Sequence, residues 1–223
     1  MTGEQEMISV FVVDDHEVVR RGIASFLEFA DGIAFVGEAS DGREALDRLA
    51  VLSTQDQLPD VMLLDLRMPR LDGAETAAIV AERYPDVRTV ILTSFSEIER
   101  VQTALANGAS GYVLKDAAAS EVEAAIRATQ RDEVFIDAAV AGRLTKRLSG
   151  PGHGVGSLSA RERDVLVLVG RGLSNRAIAE RLAISERTAR THVSKLLTKL
   201  NLNTRTQAAL VAVREGLVDA DPE

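Results

Sequence analysis

The sequence predicts an α/β half built on a doubly wound, five-stranded parallel sheet, joined to an all-α half of four helices. Three observations lead there. Five short apolar runs alternate with stretches of helical spacing over the first part of the chain. A nine-residue segment, Ser149–Ser157, then holds four glycines and a proline, a composition that cannot pack a core and reads as a flexible linker. Beyond it, helical spacing continues and no strand pattern appears.

Taken in order, the first run is Ile8–Val13, rich in β-branched residues. Ile33–Gly37, Val61–Leu64, Thr89–Thr93 and Gly111–Leu114 follow. Continuous apolar runs fit strands covered on both faces, as in a parallel sheet. Between them, Val18–Phe29 places Val19, Ile23, Phe26 and Leu27 at helical spacing, and Gly42–Leu52 does the same with Ala45, Leu46, Leu49 and Leu52. A third helix, Gly73–Arg83, stops before Tyr84-Pro85. A fourth, Ile98–Asn107, closes at Asn107-Gly108, and Ala117–Thr129 is the fifth. Ala138–Leu148 reads as a further helix leading into the linker. After the linker come Ser159–Val169, Asn175–Leu182, Glu186–Leu200 and Thr204–Arg214, with Ser174 and Ser185 where N-caps belong.

The 223 residues suit two domains, and 46% hydrophobic with 27% charged residues suits folded, water-facing ones. No apolar run reaches the roughly 18 residues of a membrane span. The polar start, Met1 to Glu6, lacks the basic and apolar parts of a secretory signal. With no cysteine, disulfides, thiolate catalysis and cysteine zinc sites are excluded. His16, His153 and His192 lie far apart in sequence and show no metal-ligand spacing. The net charge of −8 is uneven. Residues 1–157 hold 15 Lys+Arg against 26 Asp+Glu, whereas residues 158–216 hold 11 against 5. A basic back half suggests a polyanionic partner, although chance scatter would also give so modest an excess.

Ligands of parallel α/β sheets bind at the carboxyl ends of the strands. Here the first strand runs into Asp14-Asp15, the third into Asp65, the fourth ends at Thr93, and Lys115 follows the fifth. Crowded carboxylates repel each other, and a hard divalent cation such as Mg²⁺ relieves that repulsion. A carboxylate beside the ion could attack a phosphoryl group, with Lys115 and Thr93 holding the phosphate oxygens. The plainer account has each acid capping a turn. A phosphatase of the haloacid-dehalogenase type would want a second aspartate two residues after the nucleophile, where Arg67 stands. An NTPase lacks its P-loop, the linker included, and a Rossmann oxidoreductase lacks its glycine fingerprint.

Through VVDDH (12–16), LLDLRMPRLDG (63–73), ILTS (91–94) and GYVLKD (111–116), residues 8–129 resemble the receiver domain of bacterial two-component response regulators. The resemblance implies a flavodoxin-like fold with Asp65 as phosphoacceptor. It implies Mg²⁺ held by Asp14, Asp15, Asp65 and the backbone carbonyl of Arg67. Thr93 is then the switch hydroxyl, Lys115 the phosphate-binding lysine, and Tyr112 the aromatic that packs inward when the hydroxyl moves. A receiver used only as a protein- or ligand-binding module, never phosphorylated, is the competing reading.

In the back half, Asn175–Leu182 and Glu186–Leu200 read as helix-turn-helix around Ala183-Ile184. Ala189, Val193, Leu196, Leu197 and Leu200 form one apolar stripe. Arg187, Arg190, Thr191, Ser194, Lys195 and Thr198 lie opposite, a face suited to the major groove, or simply to solvent. Through the stretch from Leu158 to Ala209, residues 158–218 resemble the LuxR/NarL-type DNA-binding domain. The resemblance places Arg190, Thr191, Ser194 and Lys195 at base edges. Ser174, Asn175, Ser185, Thr188, His192, Arg205 and Thr206 become groups that position the phosphate backbone. It also makes the last helix a dimer surface, through Ala208, Ala209, Val211 and Ala212.

Together the two resemblances imply a NarL/FixJ-type response regulator, and LTSF (92–95) looks most like the branch that answers cell-envelope stress. Its domains would be a receiver (1–130), a linker helix and glycine-rich linker (131–157) and a DNA-binding domain (158–223). The implied partners are a sensor histidine kinase, double-stranded DNA with two-fold half-sites and a second copy of the chain. The implied location is the cytoplasm, and the only chemistry is the receiver's own phosphoryl transfer and dephosphorylation.

Overall fold

A computed structural model describes residues 7–94, 107–137, 140–141 and 155–219. The expected helix over 98–107, apart from Asn107, and most of that over 138–148 lie outside the described residues, as do His153 and most of the glycine-rich linker. The first half comprises β1 (Ile8–Val13), α1 (Glu17–Leu27), β2 (Ile33–Ala39), α2 (Gly42–Thr54), β3 (Val61–Asp65), α3 (Gly73–Arg83), β4 (Arg88–Thr93), β5 (Gly111–Leu114), α4 (Ala119–Gln130) and β6 (Phe135–Ile136).

The sheet is parallel throughout, in the order β2-β1-β3-β4-β5-β6. It has six strands where the sequence suggests five. The extra strand is a two-residue pairing of Phe135 and Ile136 with Gly111 and Tyr112, too short to leave a periodic signal. Alternate side chains leave the strands on opposite faces. Val10, Val12, Val61, Leu63, Val90 and Val113 pack with Leu27, Ala125 and Ile126 of α1 and α4. Phe11, Val13, Met62, Leu64, Ile91 and Tyr112 pack with Ala45, Leu49, Ala77 and Val80 of α2 and α3. Both faces are thus covered, which is why the strands read as unbroken apolar runs.

The second half holds a short 3₁₀ turn (Val155–Ser157) and four helices: α5 (Ala160–Gly170), α6 (Asn175–Leu182), α7 (Glu186–Leu200) and α8 (Arg205–Arg214). Ser159, Ser174, Ser185 and Thr204 cap them, each hydroxyl accepting a backbone N–H of the first turn. The turn between α6 and α7 passes through Ala183 at φ 52°, a left-handed end that reverses the chain before Ser185 starts α7. Ala189, Val193, Leu196 and Leu200 of α7 are buried and face the other helices.

The expected dimer face of α8 is not a free surface. Ala208, Ala209, Val211 and Ala212 are all buried in the core of their own domain. Helix α5 lies so close that a Cβ on Gly170 would come 2.5 Å from that of Ala212. Small residues here permit close helix packing within one chain, a use that the same spacing cannot distinguish from pairing between chains.

The two halves touch. Thr206 Oγ1 donates to the carbonyl of Ala109 across 2.9 Å, and the N–H of Val134 donates to the carbonyl of Gly172 across 3.0 Å. Leu210 of α8 joins the same apolar cluster as Tyr112, Val140 and Ala141.

One loop sets the shape of the sheet's carboxyl edge. The chain leaves β3 at Asp65 and enters α3 at Gly73, whose N–H donates back to the carbonyl of Leu66. A Cβ on Gly73 would lie 2.1 Å from the carbonyl oxygen of Asp65. The side of the loop toward α2 is equally tight, since a Cβ on Gly42 would lie 2.9 Å from the carbonyl oxygen of Leu71. Gly73→Ala should therefore lower the stability of this first half by on the order of 2 kcal/mol, through forced backbone displacement. Urea denaturation checks this, and an unchanged midpoint would show that the loop yields freely.

Candidate functional site

Parallel register builds the acidic pocket. Val13 pairs with Leu64, so the next residues, Asp14 and Asp65, emerge side by side. Asp65 pairs with Leu92, which sets Thr93 one step further along. Thr93 pairs with Leu114, and the N–H of Lys115 donates to the carbonyl of Thr93 across 2.8 Å. Five chemically active side chains expected at the strand ends are thereby gathered at one edge.

Asp14, Asp65 and Thr93 are buried, while Asp15 stands nearer the surface. Lys115 Nζ lies 2.7 Å from Asp14 Oδ2 and 2.8 Å from Asp65 Oδ2, bridging the two buried carboxylates. Burial pushes the Asp65 carboxyl up to about 6, and the neighbouring charge of Asp14 adds to this. Lys115 and the backbone N–H of Arg67 pull the other way. Burial also works against the Lys115 ammonium, yet its contacts with Asp14 and Asp65 hold it above its ordinary value. One cation against three acids leaves excess negative charge. Asp65 Oδ1 is buried without a hydrogen-bond partner among the described residues. Atoms of Asp14, Asp15, His16 and Asp65 lie within 4.8 Å of one another. An orphaned carboxylate oxygen in an oxygen-rich cluster is the donor set that a hard divalent cation fits.

His16, expected to show no ligand spacing, does stand among potential metal ligands, because its neighbours there are aspartates and not histidines. The informative signal was its place directly after two aspartates. Its N–H donates to Asp14 Oδ1 across 2.8 Å. Arg20, also unmarked in the sequence, donates from Nη1 to the carbonyl of Asp14 and so braces the turn leaving β1. Arg70 contacts Asp41, the N-cap of α2, and pins the loop after Asp65 to that helix.

Thr93 Oγ1 donates to the carbonyl of Ser94 across 3.3 Å. Tyr112 is fully buried, and burial pushes its phenol well above the ordinary value. The ring expected to pack inward lies in the apolar cluster with Ile91 and Leu210.

The proposed nucleic-acid face divides in two. Thr188, Arg190, Thr191, Ser194 and Lys195 are exposed on α7, with Arg190 lightly held by Glu186 across 3.2 Å. His192 is half-buried, and Ser185 is spent as the N-cap, accepting from the N–H of Thr188. Ser174 caps α6, and Asn175 Oδ1 accepts from Arg205 Nη1 across 3.1 Å. Thr206 is buried against Ala109. Burial lowers Arg205 to about 10 against the opposing influence of Asp132 and Glu133, and its Nε and Nη2 have no partner among the described residues. Thr206 and Arg205 thus belong, in this arrangement, to the contact between the halves.

The raised Asp65 value has a sign that can be tested. Without metal, the folded chain holds this proton up to about pH 6, whereas an ordinary Asp releases it near 3.8. The folded state is therefore increasingly penalised as pH rises from about 4 to 6, by on the order of 2 kcal/mol in all. In EDTA, Asp65→Asn should gain stability over the wild type across that window and hold the gain above it. Urea denaturation at a series of pH values measures the difference, and a flat difference would remove the perturbation.

Residues 10–127 match the response regulator receiver domain, and residues 156–212 match the bacterial regulatory proteins of the luxR family. The transcriptional regulatory protein LiaR of Bacillus subtilis is 40% identical over 216 residues, covering 96% of this chain and 100% of that protein. The crystal structure of ChrA, a response regulator of a heme-sensing two-component system, aligns with a TM-score of 0.54 at 36% identity, over 96% of this chain and 100% of ChrA. A structure of two RcsB dimers bound to two parallel DNAs aligns with a TM-score of 0.58 at 25% identity, over 95% of this chain and 100% of that one. With the receiver edge and the helix-turn-helix both in place, the chain belongs to the response regulators that carry a LuxR-type DNA-binding domain.

Proposed function

We propose that Asp65 is the phosphoacceptor of a transcription regulator whose two halves, residues 1–130 and 158–223, are joined by the segment 131–157. The observation that carries this reading is the buried Asp65 carboxylate, bridged to Asp14 by Lys115 and keeping one orphaned oxygen. Asp14, Asp15, Asp65 and the backbone carbonyl of Arg67 would hold Mg²⁺. The bound ion would offset the acids' repulsion and the charge of the incoming phosphoryl group.

An Asp65 oxygen attacks phosphorus, the bond from phosphorus to the donor breaks, and the donor departs with that electron pair. The donor class is a phosphohistidine on a sensor kinase. Lys115 then leaves carboxylate contacts for phosphate oxygens, and Thr93 exchanges the Ser94 carbonyl for the same group. As Thr93 turns, the buried Tyr112 repacks with it and the surface around both changes.

DNA is the second ligand. Arg190, Thr191, Ser194 and Lys195 are offered to base edges. Ser174, Asn175, Ser185, Thr188, His192, Arg205 and Thr206 are offered to the phosphate backbone. Arg205 and Thr206 reach DNA only once the Thr206–Ala109 contact opens, and Arg205, short of partners in the closed form, gains them from phosphate. A homodimer reading two-fold half-sites gains the specificity that one small domain lacks, a reading that the DNA-bound RcsB dimers support. Such a regulator works in the cytoplasm, where DNA and kinase meet; among the described residues no helix is long and apolar enough to cross a membrane.

Asp65→Asn should abolish Mg²⁺-dependent labelling by a small phosphodonor, read by intact-protein mass spectrometry. Labelling that persists would assign the phosphate elsewhere, and a wild type that never labels would favour the interaction-only receiver. Arg190→Ala should cost about 1–3 kcal/mol on the operator and much less on random DNA, measured by fluorescence anisotropy. Equal losses on both would make Arg190 a backbone contact.

A further inference from the structure

His16 occupies the N-cap of α1, a position usually given to a side chain that accepts the first free amides of the helix. It does not do so: no side-chain cap bond forms. The imidazole turns instead to the acidic pocket, with Nδ1 2.6 Å from Asp15 Oδ1 and 3.3 Å from Asp14 Oδ1. Its own backbone N–H is tied to Asp14 Oδ1, so the ring's starting point is fixed relative to the carboxylates. The ring remains largely exposed at the pocket mouth, 67% accessible.

Two ligands in adjacent positions on an octahedral ion, each about 2.1 Å from it, stand about 3 Å apart. The two imidazole–carboxylate separations bracket that spacing. Deeper in the same cluster, Asp65 supplies a buried oxygen that meets no hydrogen-bond partner among the described residues. Three oxygens and one nitrogen therefore stand within reach of a single ion. Mg²⁺ gains little from nitrogen, whereas first-row transition ions accept imidazole readily.

We infer that His16 is a further metal ligand of this pocket, one that Mg²⁺ leaves unused and that an imidazole-accepting divalent ion such as Mn²⁺ or Ni²⁺ takes up beside Asp14 and Asp15. The inference rests on the metal-binding reading of the pocket given above. It makes the pocket selective by donor type: the acids alone set its affinity for Mg²⁺, and His16 adds affinity only for ions that bond nitrogen.

The test uses the full chain stripped of metal, at one fixed pH, as wild type, His16→Ala and His16→Asn. The asparagine variant restores a good N-cap and keeps α1 intact. Calorimetric titration with Mg²⁺, Mn²⁺ and Ni²⁺ is paired with pulsed EPR of the Mn²⁺-loaded protein, which detects nitrogen bonded directly to the ion. Both variants should hold Mg²⁺ affinity within about twofold and lose about tenfold or more for Ni²⁺. The wild type should show a nitrogen coupling to Mn²⁺ that both variants lack. Absence of that coupling in Mn²⁺-loaded wild type overturns the inference. So does an equal loss for all three ions, which would make His16 only an orienting neighbour of the acids. In both cases the metal-binding reading survives, whereas failure of the wild type to bind any of the ions would bring that reading down as well.

Discussion

Burial of neighbouring carboxylates at the end of a parallel sheet is the constraint on which this molecule turns. Asp14 and Asp65 are buried beside one another with only Lys115 between them. A cluster of this kind is costly to fold and easy to perturb, since any added cation or phosphoryl group changes its balance. The cost persists because the surrounding structure holds it in place. Hydrogen-bonded register carries each residue to its strand end, Arg20 braces the turn after β1, and the tight loop from Leu66 to Gly73 leaves the Asp65 backbone no room to relax.

The same edge connects to the second half of the chain. Thr93 and Lys115 lie at the ends of β4 and β5, and the strand that carries Tyr112 packs into a cluster that includes Leu210 of the DNA-binding domain. Nearby, Ala109, two residues before β5, accepts the hydrogen bond from Thr206. The strand ends beside Asp65 are thus joined by packed side chains to the contact in which Thr206 is engaged.

Much of this was legible in the sequence, for definite reasons. A strand covered on both faces reads as an unbroken apolar run, and four such runs end in a residue with chemical character, so the pocket could be assembled from order alone. The apolar stripe of α7 likewise fixes which face is left for solvent or DNA. What the sequence left dark lacked a periodic signal or had two equivalent meanings. Phe135-Ile136 is too short to show alternation. The small residues of α8 serve close packing against Gly170 as well as they would serve a dimer. His16 belongs to a mixed cluster that a search by residue type alone passes over. The inward state of Tyr112 and the burial of Thr206 depend on contacts between distant segments, which no local pattern encodes.

The most direct measurement is the titration of the Asp65 carboxyl carbon by NMR on aspartate-labelled protein, with and without Mg²⁺. In EDTA the midpoint should stand at about 6, well above an ordinary aspartate. Saturating Mg²⁺ should draw it below the usual carboxylate range, because the ion favours the charged form. A midpoint near 4 in EDTA that Mg²⁺ leaves unmoved would contradict the account, for the carboxyl would then be neither raised by its burial nor bound to an ion.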